Sequence, residues 1–342
     1  MRAPAGFPPP VSPQQTGANR GMCSSDAESG LSGVRGYPYV RSRLTGPLSP
    51  SMVSTIAAGP GPYSPQPRLQ ETALEPRRVL MTGGAGRIGR AVRRQLGDRY
   101  RFESLDLVEA DDVRSHVADL ASLDDILPAF EGQDVVVHLG GDASGDAPWE
   151  SVLPNNIVGT YNVLEAVRRT GVGRFIFASS NHTVGINWEI DPYRAIYEGK
   201  LEKLRRPFPM LSTDDVRPCC LYGVGKAFGE NLASFYHDRF GISCICIRIG
   251  GVSEDDDWHS HGTSGLPLWL SHRDAAQLVQ RCIDAPSSVG YAVVYGISNN
   301  TLRFTEIESA REILGYEPQD DAGAEVPPGL SSGFLHDPHG NE

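Results

Sequence analysis

Tyr222 and Lys226 stand four residues apart in Leu221-Tyr222-Gly223-Val224-Gly225-Lys226. On a helix that spacing sets an ammonium beside a phenol. A phenol titrates near ~10, so a neighbouring cation is what makes it a usable general base near neutral pH. Lysine suits this better than arginine, being a compact point charge that can also bond ribose hydroxyls. The choice stands out here: of 31 basic residues, only those at 200, 203 and 226 are lysines, and 28 are arginines. Tyr and Lys pairs at this spacing also arise by chance, so the surroundings decide. A Gly-rich turn and a run ending Ala178-Ser179-Ser180 precede this pair.

A second group could hold a dinucleotide. Val79-Leu80-Met81-Thr82 runs into Gly83-Gly84-Ala85-Gly86-Arg87-Ile88-Gly89. Glycines at 83, 86 and 89 allow a tight turn, close backbone approach to a pyrophosphate and close packing of helix on strand, with the helix N-terminus facing the anion. Asp106 follows Gly83 by 23 residues, close to the interval at which an acid binds the adenosine ribose hydroxyls. Its carboxylate would repel a 2′-phosphate, which favours NAD over NADP; Arg87 nearby is the residue type that accommodates that phosphate.

Positioning these groups takes alternating strands and helices. Apolar runs predict strands over 78–82, 101–107, 117–120, 134–139, 174–179, 243–249 and 291–296. Apolar spacing of three and four predicts helices over 87–96, 149–169, 221–239, 272–285 and 305–314. The alternation is that of a doubly wound, parallel-sheet α/β domain of the Rossmann type spanning 76–320, with an irregular insertion over 185–218. A loose tail follows over 321–342. Residues 1–75 hold 12 of the 26 prolines and 9 glycines without helical or strand periodicity, and are expected to be a disordered extension. Their arginines, serines and few acids fit a transit peptide as well as a flexible tail.

Composition narrows the partners. A net charge of −11 over 342 residues disfavours a nucleic-acid backbone as partner and leaves small molecules. No apolar run is long enough to span a bilayer. The six cysteines, at 23, 219, 220, 244, 246 and 282, show neither paired zinc spacing nor a secreted framework, so reduced thiols of a cytoplasmic protein without a metal are expected.

Taken together, GGAGRIG at 83–89, the strand-end Asp106, Asp119-Leu120, HLGG at 138–141, NNIVGT at 155–160, FASSNH at 177–182 and YGVGK at 222–226 resemble the extended short-chain dehydrogenase/reductase superfamily, the NAD-dependent epimerase/dehydratase family. Within it, SSNH followed by YGVGKAFGENLASFYHDRFG, then RIG, WLSHRD and YGISNN, is similar to uronate dehydrogenases and to haloarchaeal NAD-dependent glucose-6-phosphate dehydrogenases. The resemblance implies a Rossmann fold with a small C-terminal substrate-binding portion. It implies NAD held by Gly83, Gly86, Arg87, Ile88, Gly89, Asp106, Asp119, Leu120, Leu139, Gly140, Asn156 and Ile249 together with Tyr222 and Lys226. It further implies hydride removal from the anomeric carbon of a sugar acid or sugar phosphate to give a lactone, with Tyr222 as base, Lys226 lowering its pKa and Ser180 orienting the substrate oxygen. Ser144, Ser180, Asn181 and His182 fall where related enzymes contact the sugar, and the superfamily suggests a homodimer through the helix of Tyr222.

Two departures bear on the sugar. Uronate dehydrogenases have a serine after RIG and, soon after, an arginine that clasps the substrate carboxylate; here those places are Gly251 and an arginine-free stretch at 259–267. The insertion brings Arg194, Lys200, Lys203, Arg205 and Arg206, either an anion clamp or a solvated charge run. A nucleotide-sugar epimerase would use the same Tyr, Lys and NAD, whereas a dehydratase would carry Asp-Glu where Asn181-His182 stands. A non-catalytic dinucleotide sensor would tolerate loss of the Tyr and Lys, and both are present.

Overall fold

The computed structural model describes residues 76–201 and 209–323. The extension 1–75, the tail beyond 323 and Lys203, Arg205 and Arg206 lie outside the described residues. Seven strands, β1 (Arg78–Thr82), β2 (Arg101–Asp106), β3 (Arg114–Val117), β4 (Val135–His138), β5 (Arg174–Ser180), β6 (Ser243–Ile249) and β7 (Tyr291–Gly296), form one parallel sheet ordered β3-β2-β1-β4-β5-β6-β7. The helices are α1 (Arg87–Leu96), α2 (Leu123–Ile126), α3 (Trp149–Val152), α4 (Gly159–Thr170), α5 (Tyr193–Tyr197), α6 (Leu221–Phe240), α7 (Gly265–Leu268), α8 (His272–Asp284) and α9 (Glu308–Leu314).

The two faces of the sheet carry separate cores because side chains alternate along each strand. Val79 and Met81 of β1 pack with Val92 of α1 and Leu278 and Cys282 of α8 on one face. Leu80, with Phe175 and Phe177 of β5, meets Val163 and Val167 of α4 and Ala233 and Tyr236 of α6 on the other. The chain leaves β1 toward one edge and restarts at β4 on its other side. That reversal opens a crevice at the carboxyl ends of β1 and β4, the place where doubly wound sheets bind ligands. The expected fold is the one observed.

Several expected elements differ. The third strand is Arg114–Val117 rather than 117–120: it is an edge strand of half-buried and exposed residues, so it lacks the apolar run by which central strands are read. The apolar residues after it turn inward instead, and Leu120 packs beneath Gly140 and Gly159. The helix expected over 149–169 is two α-helices joined by a π-helical turn at Leu153–Val158, where Pro154 has no N–H to give the ladder. The last helix begins at Glu308 rather than 305. The insertion is partly ordered: α5 and Leu211 bury Tyr193 and Ile196 against Tyr295, Leu302 and Phe304 in a third core. Asp321 to Gly323, expected to be loose, are anchored, with Asp321 Oδ1 accepting the Thr301 N–H at 2.7 Å and Ala322 buried.

Candidate active site

The first turn after β1 is set by backbone sterics. Gly83 has φ +66°, and a Cβ there would lie 2.6 Å from the Gly140 nitrogen, so the turn closes against the loop after β4 only without a side chain. α1 begins at Gly86 without a capping side chain or an acid in its first turn. Its free N–H groups and positive dipole end are therefore available to an anion. Asp106, at the end of β2, accepts N–H bonds from Ala85 at 3.0 Å and Leu107 at 2.7 Å, which fixes its carboxylate beside the turn. Arg87 lines the same cleft as these groups, donating to the Val252 carbonyl at 2.7 Å and lying 3.4 Å from Glu254.

These groups line one end of a cleft of about 790 Å³, with Gly83, Gly86, Ile88, Asp119, Leu120, Leu139, Gly140 and Ile249 in its walls. Volume, glycine cradle, helix terminus and strand-end acid fit a dinucleotide. Two residues expected to touch it do not line the cleft. Gly89 packs against Gly84, where an added Cβ would overlap the Gly84 carbonyl. Asn156, on the π-helical turn, is turned to the loop after β4, with Oδ1 accepting the Asp142 N–H and Nδ2 donating to the Asp142 carbonyl, both at 2.9 Å. It shapes the wall while Asn155 lines it.

At the middle of the cleft Tyr222 and Lys226, on the first turns of α6, are 8% and 6% exposed. Lys226 Nζ lies 5.5 Å from the centre of the Tyr222 ring and 5.0 Å from that of Phe177. Burial pulls the ammonium down to about 8. Burial pushes the Tyr222 phenol up, and a hydrogen bond from Ser180 at the end of β5 opposes that rise. Asn181 Oδ1, at 3.2 Å, is an alternative acceptor for the single Ser180 hydroxyl proton, and Ser180 Oγ accepts the His182 N–H at 3.2 Å. Beneath them His138 is fully buried, its Nδ1 2.6 Å from Thr82 Oγ1 and its Nε2 3.1 Å from Thr160 Oγ1. Desolvation holds its pKa down near about 3, so it is a neutral part of the floor.

The far end is lined by Asn181, His182, Trp188, Tyr197 and His261. The Trp188 and Tyr197 rings stack 5.0 Å apart, and His182 meets Trp188 and Tyr222 edge-on at 4.9 and 5.3 Å. A Cβ on Gly251 would lie 3.1 Å from the His261 ring, so the missing side chain is what admits the histidine. Trp188 Nε1 and His261 Nε2 are buried with no partner among the described residues. Ser144 is exposed outside the cleft wall, its hydroxyl accepting the Asp146 N–H at 3.2 Å. Arg194 and Lys200 pair with Asp191 at 2.7 Å and Glu198 at 2.6 Å beside a separate depression of about 280 Å³. Sequence reasoning missed Asp142, Trp188, Tyr197 and His261, because a loop, two 3-10 turns and a five-residue helix are too short or irregular to give a periodicity to read.

Comparison with known proteins agrees with this arrangement. The NAD-dependent epimerase/dehydratase family matches residues 79–253. The NAD-dependent glucose-6-phosphate dehydrogenase of Haloferax volcanii is 38% identical over 257 residues, covering 71% of this chain and 94% of that one. A uronate dehydrogenase of Pseudomonas syringae is 35% identical, covering 72% and 82%. The crystal structure of uronate dehydrogenase from Agrobacterium tumefaciens superposes with a TM-score of 0.60 at 33% identity, covering 75% of this chain and 91% of that one. With a parallel sheet reversing at β1 and β4, a glycine cradle at the reversal and these relatives along the same stretch, the chain belongs to the NAD-dependent epimerase/dehydratase family.

Proposed function

We propose that this NAD-dependent oxidoreductase removes the anomeric hydrogen of a cyclic sugar acid or sugar phosphate and gives the lactone, with Tyr222 as general base. The observation that carries this reading is the convergence of Ser180, Tyr222 and Lys226 at the middle of one cleft, between a dinucleotide-shaped end and an aromatic end. Gly83, Gly86, the α1 N-terminus and Asp106 would hold NAD, which when bound supplies the hydride acceptor. Tyr222 Oη takes the sugar hydroxyl proton as the carbonyl forms. Ser180 Oγ holds that hydroxyl toward the phenol, and the Lys226 ammonium stabilises the phenolate. The relatives named above, dehydrogenases of glucose 6-phosphate and of uronates, support the sugar assignment.

The aromatic end bears on which sugar. Trp188 Nε1 and His261 Nε2 are buried polar groups that a sugar's hydroxyls would satisfy. Burial and the nearby Arg87 charge hold His261 toward its neutral form, so it recognises hydroxyls better than it balances a carboxylate. The basic residues that line the cleft, among those described, are Arg87 and Lys226.

A panel of aldoses, uronates and sugar phosphates, each mixed with protein and excess NAD, tests the proposal. Free NADH should accumulate with at least one of them, in step with lactone. Reduced cofactor that stays protein-bound while the sugar is recovered as its epimer would overturn it in favour of an epimerase.

A further inference from the structure

Beside the cleft three soft ligands converge on one point. His182 Nδ1 lies 3.3 Å from Cys219 Sγ and 3.5 Å from Cys220 Sγ, and the two sulfurs are 3.6 Å apart. Successive side chains on extended backbone point to opposite sides, but the chain bends at Cys219 and Cys220, which turns both thiols to His182. Both cysteines are free thiols, and all three residues are half-buried. The shape is nearly an equilateral triangle. A tetrahedral ion bound at ~2.3 Å to sulfur and ~2.1 Å to nitrogen spaces its ligands by roughly 3.5 to 3.8 Å, so the edges need open only slightly to receive one.

We propose that His182, Cys219 and Cys220 bind one thiophilic divalent cation of the Zn²⁺ class per chain, with a fourth position open to water. Two thiolates and an imidazole are the ligand set such an ion prefers, whereas Mg²⁺ and Ca²⁺ take oxygen donors. Thiols bind as thiolates, and a bound cation displaces their protons. Until then burial keeps the Cys219 proton on, pushing that thiol up to about 12. The ion would fasten the 3-10 turn Asn181–Glu189, which bears His182, to Cys220, the residue that caps α6 two places before Tyr222. A metal on Nδ1 also leaves the ring proton on Nε2, so a loaded His182 presents a fixed donor at the cleft; this consequence alone rests on the sugar-dehydrogenase reading. Cysteine spacing did not reveal the site because the histidine lies 37 residues before Cys219.

The test needs no substrate. Untagged full-length protein is equilibrated with ZnCl₂, passed through a desalting column and assayed for metal by mass spectrometry, beside the double variant Cys219→Ser/Cys220→Ser. Serine keeps a helix cap at 220, and circular dichroism verifies that the variant folds. The expected result is about one zinc per chain in the natural protein and at least a tenfold loss in the variant. In parallel, CoCl₂ added to the natural protein should give a sulfur-to-cobalt charge-transfer band in the near ultraviolet, a readout that stands even if the variant misfolds. No retained zinc, equal retention by a folded variant, or cobalt without that band would overturn the site. Each of these results is independent of whether any sugar yields NADH.

Discussion

At Tyr222 and Lys226 burial acts in opposite directions, raising the phenol and lowering the ammonium to about 8. Their proton affinities, similar in water, are thereby driven apart, with the phenol holding its proton the more tightly, and the proposed proton acceptance by Tyr222 depends on the charge kept at Lys226. Tyr222→Phe removes the acceptor and keeps the packing, so turnover should fall by ~10² or more while melting temperature and NAD binding hold. Lys226→Arg keeps the charge but replaces a compact ammonium with a planar guanidinium. In a site that leaves Lys226 only 6% exposed, steady-state kinetics should show a loss of the same order; full activity would remove Lys226 from the mechanism. Asp106, held by the Ala85 and Leu107 N–H groups, should make NAD bind more tightly than NADP, and titration of Asp106→Ala with both cofactors should show a narrower gap. The placing of Asp106, Tyr222 and Lys226 along one cleft was legible because it follows from local spacing. That of Trp188 and His261 was not, since it is the folding of two 3-10 turns that carries them to the cleft.

Among the elements, α6 bears the greatest demand, because its register on β5 decides where the phenol and ammonium sit. The contact is made at Gly229, where an added Cβ would overlap the Phe177 ring. Phe177 cannot yield easily: it is 1% exposed, stacked on His138 and Phe175, and lies under Lys226. Gly229→Ala gains roughly 1 kcal/mol of helix propensity but incurs an overpacking strain of ~1–3 kcal/mol. Strain should win, lowering the denaturation midpoint and, by shifting α6, turnover as well. Gly173→Ala, which would meet nothing within 4 Å, is the control and should change stability by less than ~0.5 kcal/mol. The helix of Tyr222 was legible from apolar spacing through residue 239 and ends at Phe240 before Gly241, at φ +71°. The π-helical turn was not, because one proline inside an otherwise continuous apolar pattern does not say whether the chain breaks or bulges.

For the whole molecule, the parallel sheet was legible because strands buried on both faces read as unbroken apolar runs, as Val135–His138 does with all four residues buried. That same burial encloses a titratable group at the centre of the fold. His138 joins Thr82 of β1 to Thr160 of α4 through its two ring nitrogens, and desolvation, with the Lys226 charge nearby, lowers its pKa from 6.5 to about 3. The unfolded chain therefore takes up a proton near pH 6.5 that the folded chain refuses until about pH 3. Stability from this residue is complete above ~pH 7 and declines by ~1.4 kcal/mol per pH unit as the pH falls through that window. Between pH 6.5 and pH 5 the loss should be ~2 kcal/mol, since 1.5 units are crossed. His138→Gln removes the titration and leaves a side chain able to bond one or both threonines. Its stability at pH 7 should be lower than that of the natural protein, because the imidazole's packing on Phe177 is lost, yet its decline from pH 7 to pH 5 should be smaller by about that ~2 kcal/mol. Urea unfolding of both proteins at the two pH values measures the difference directly; parallel declines would show that His138 is charged in the folded protein and that the floor of the cleft is wetter than its packing implies.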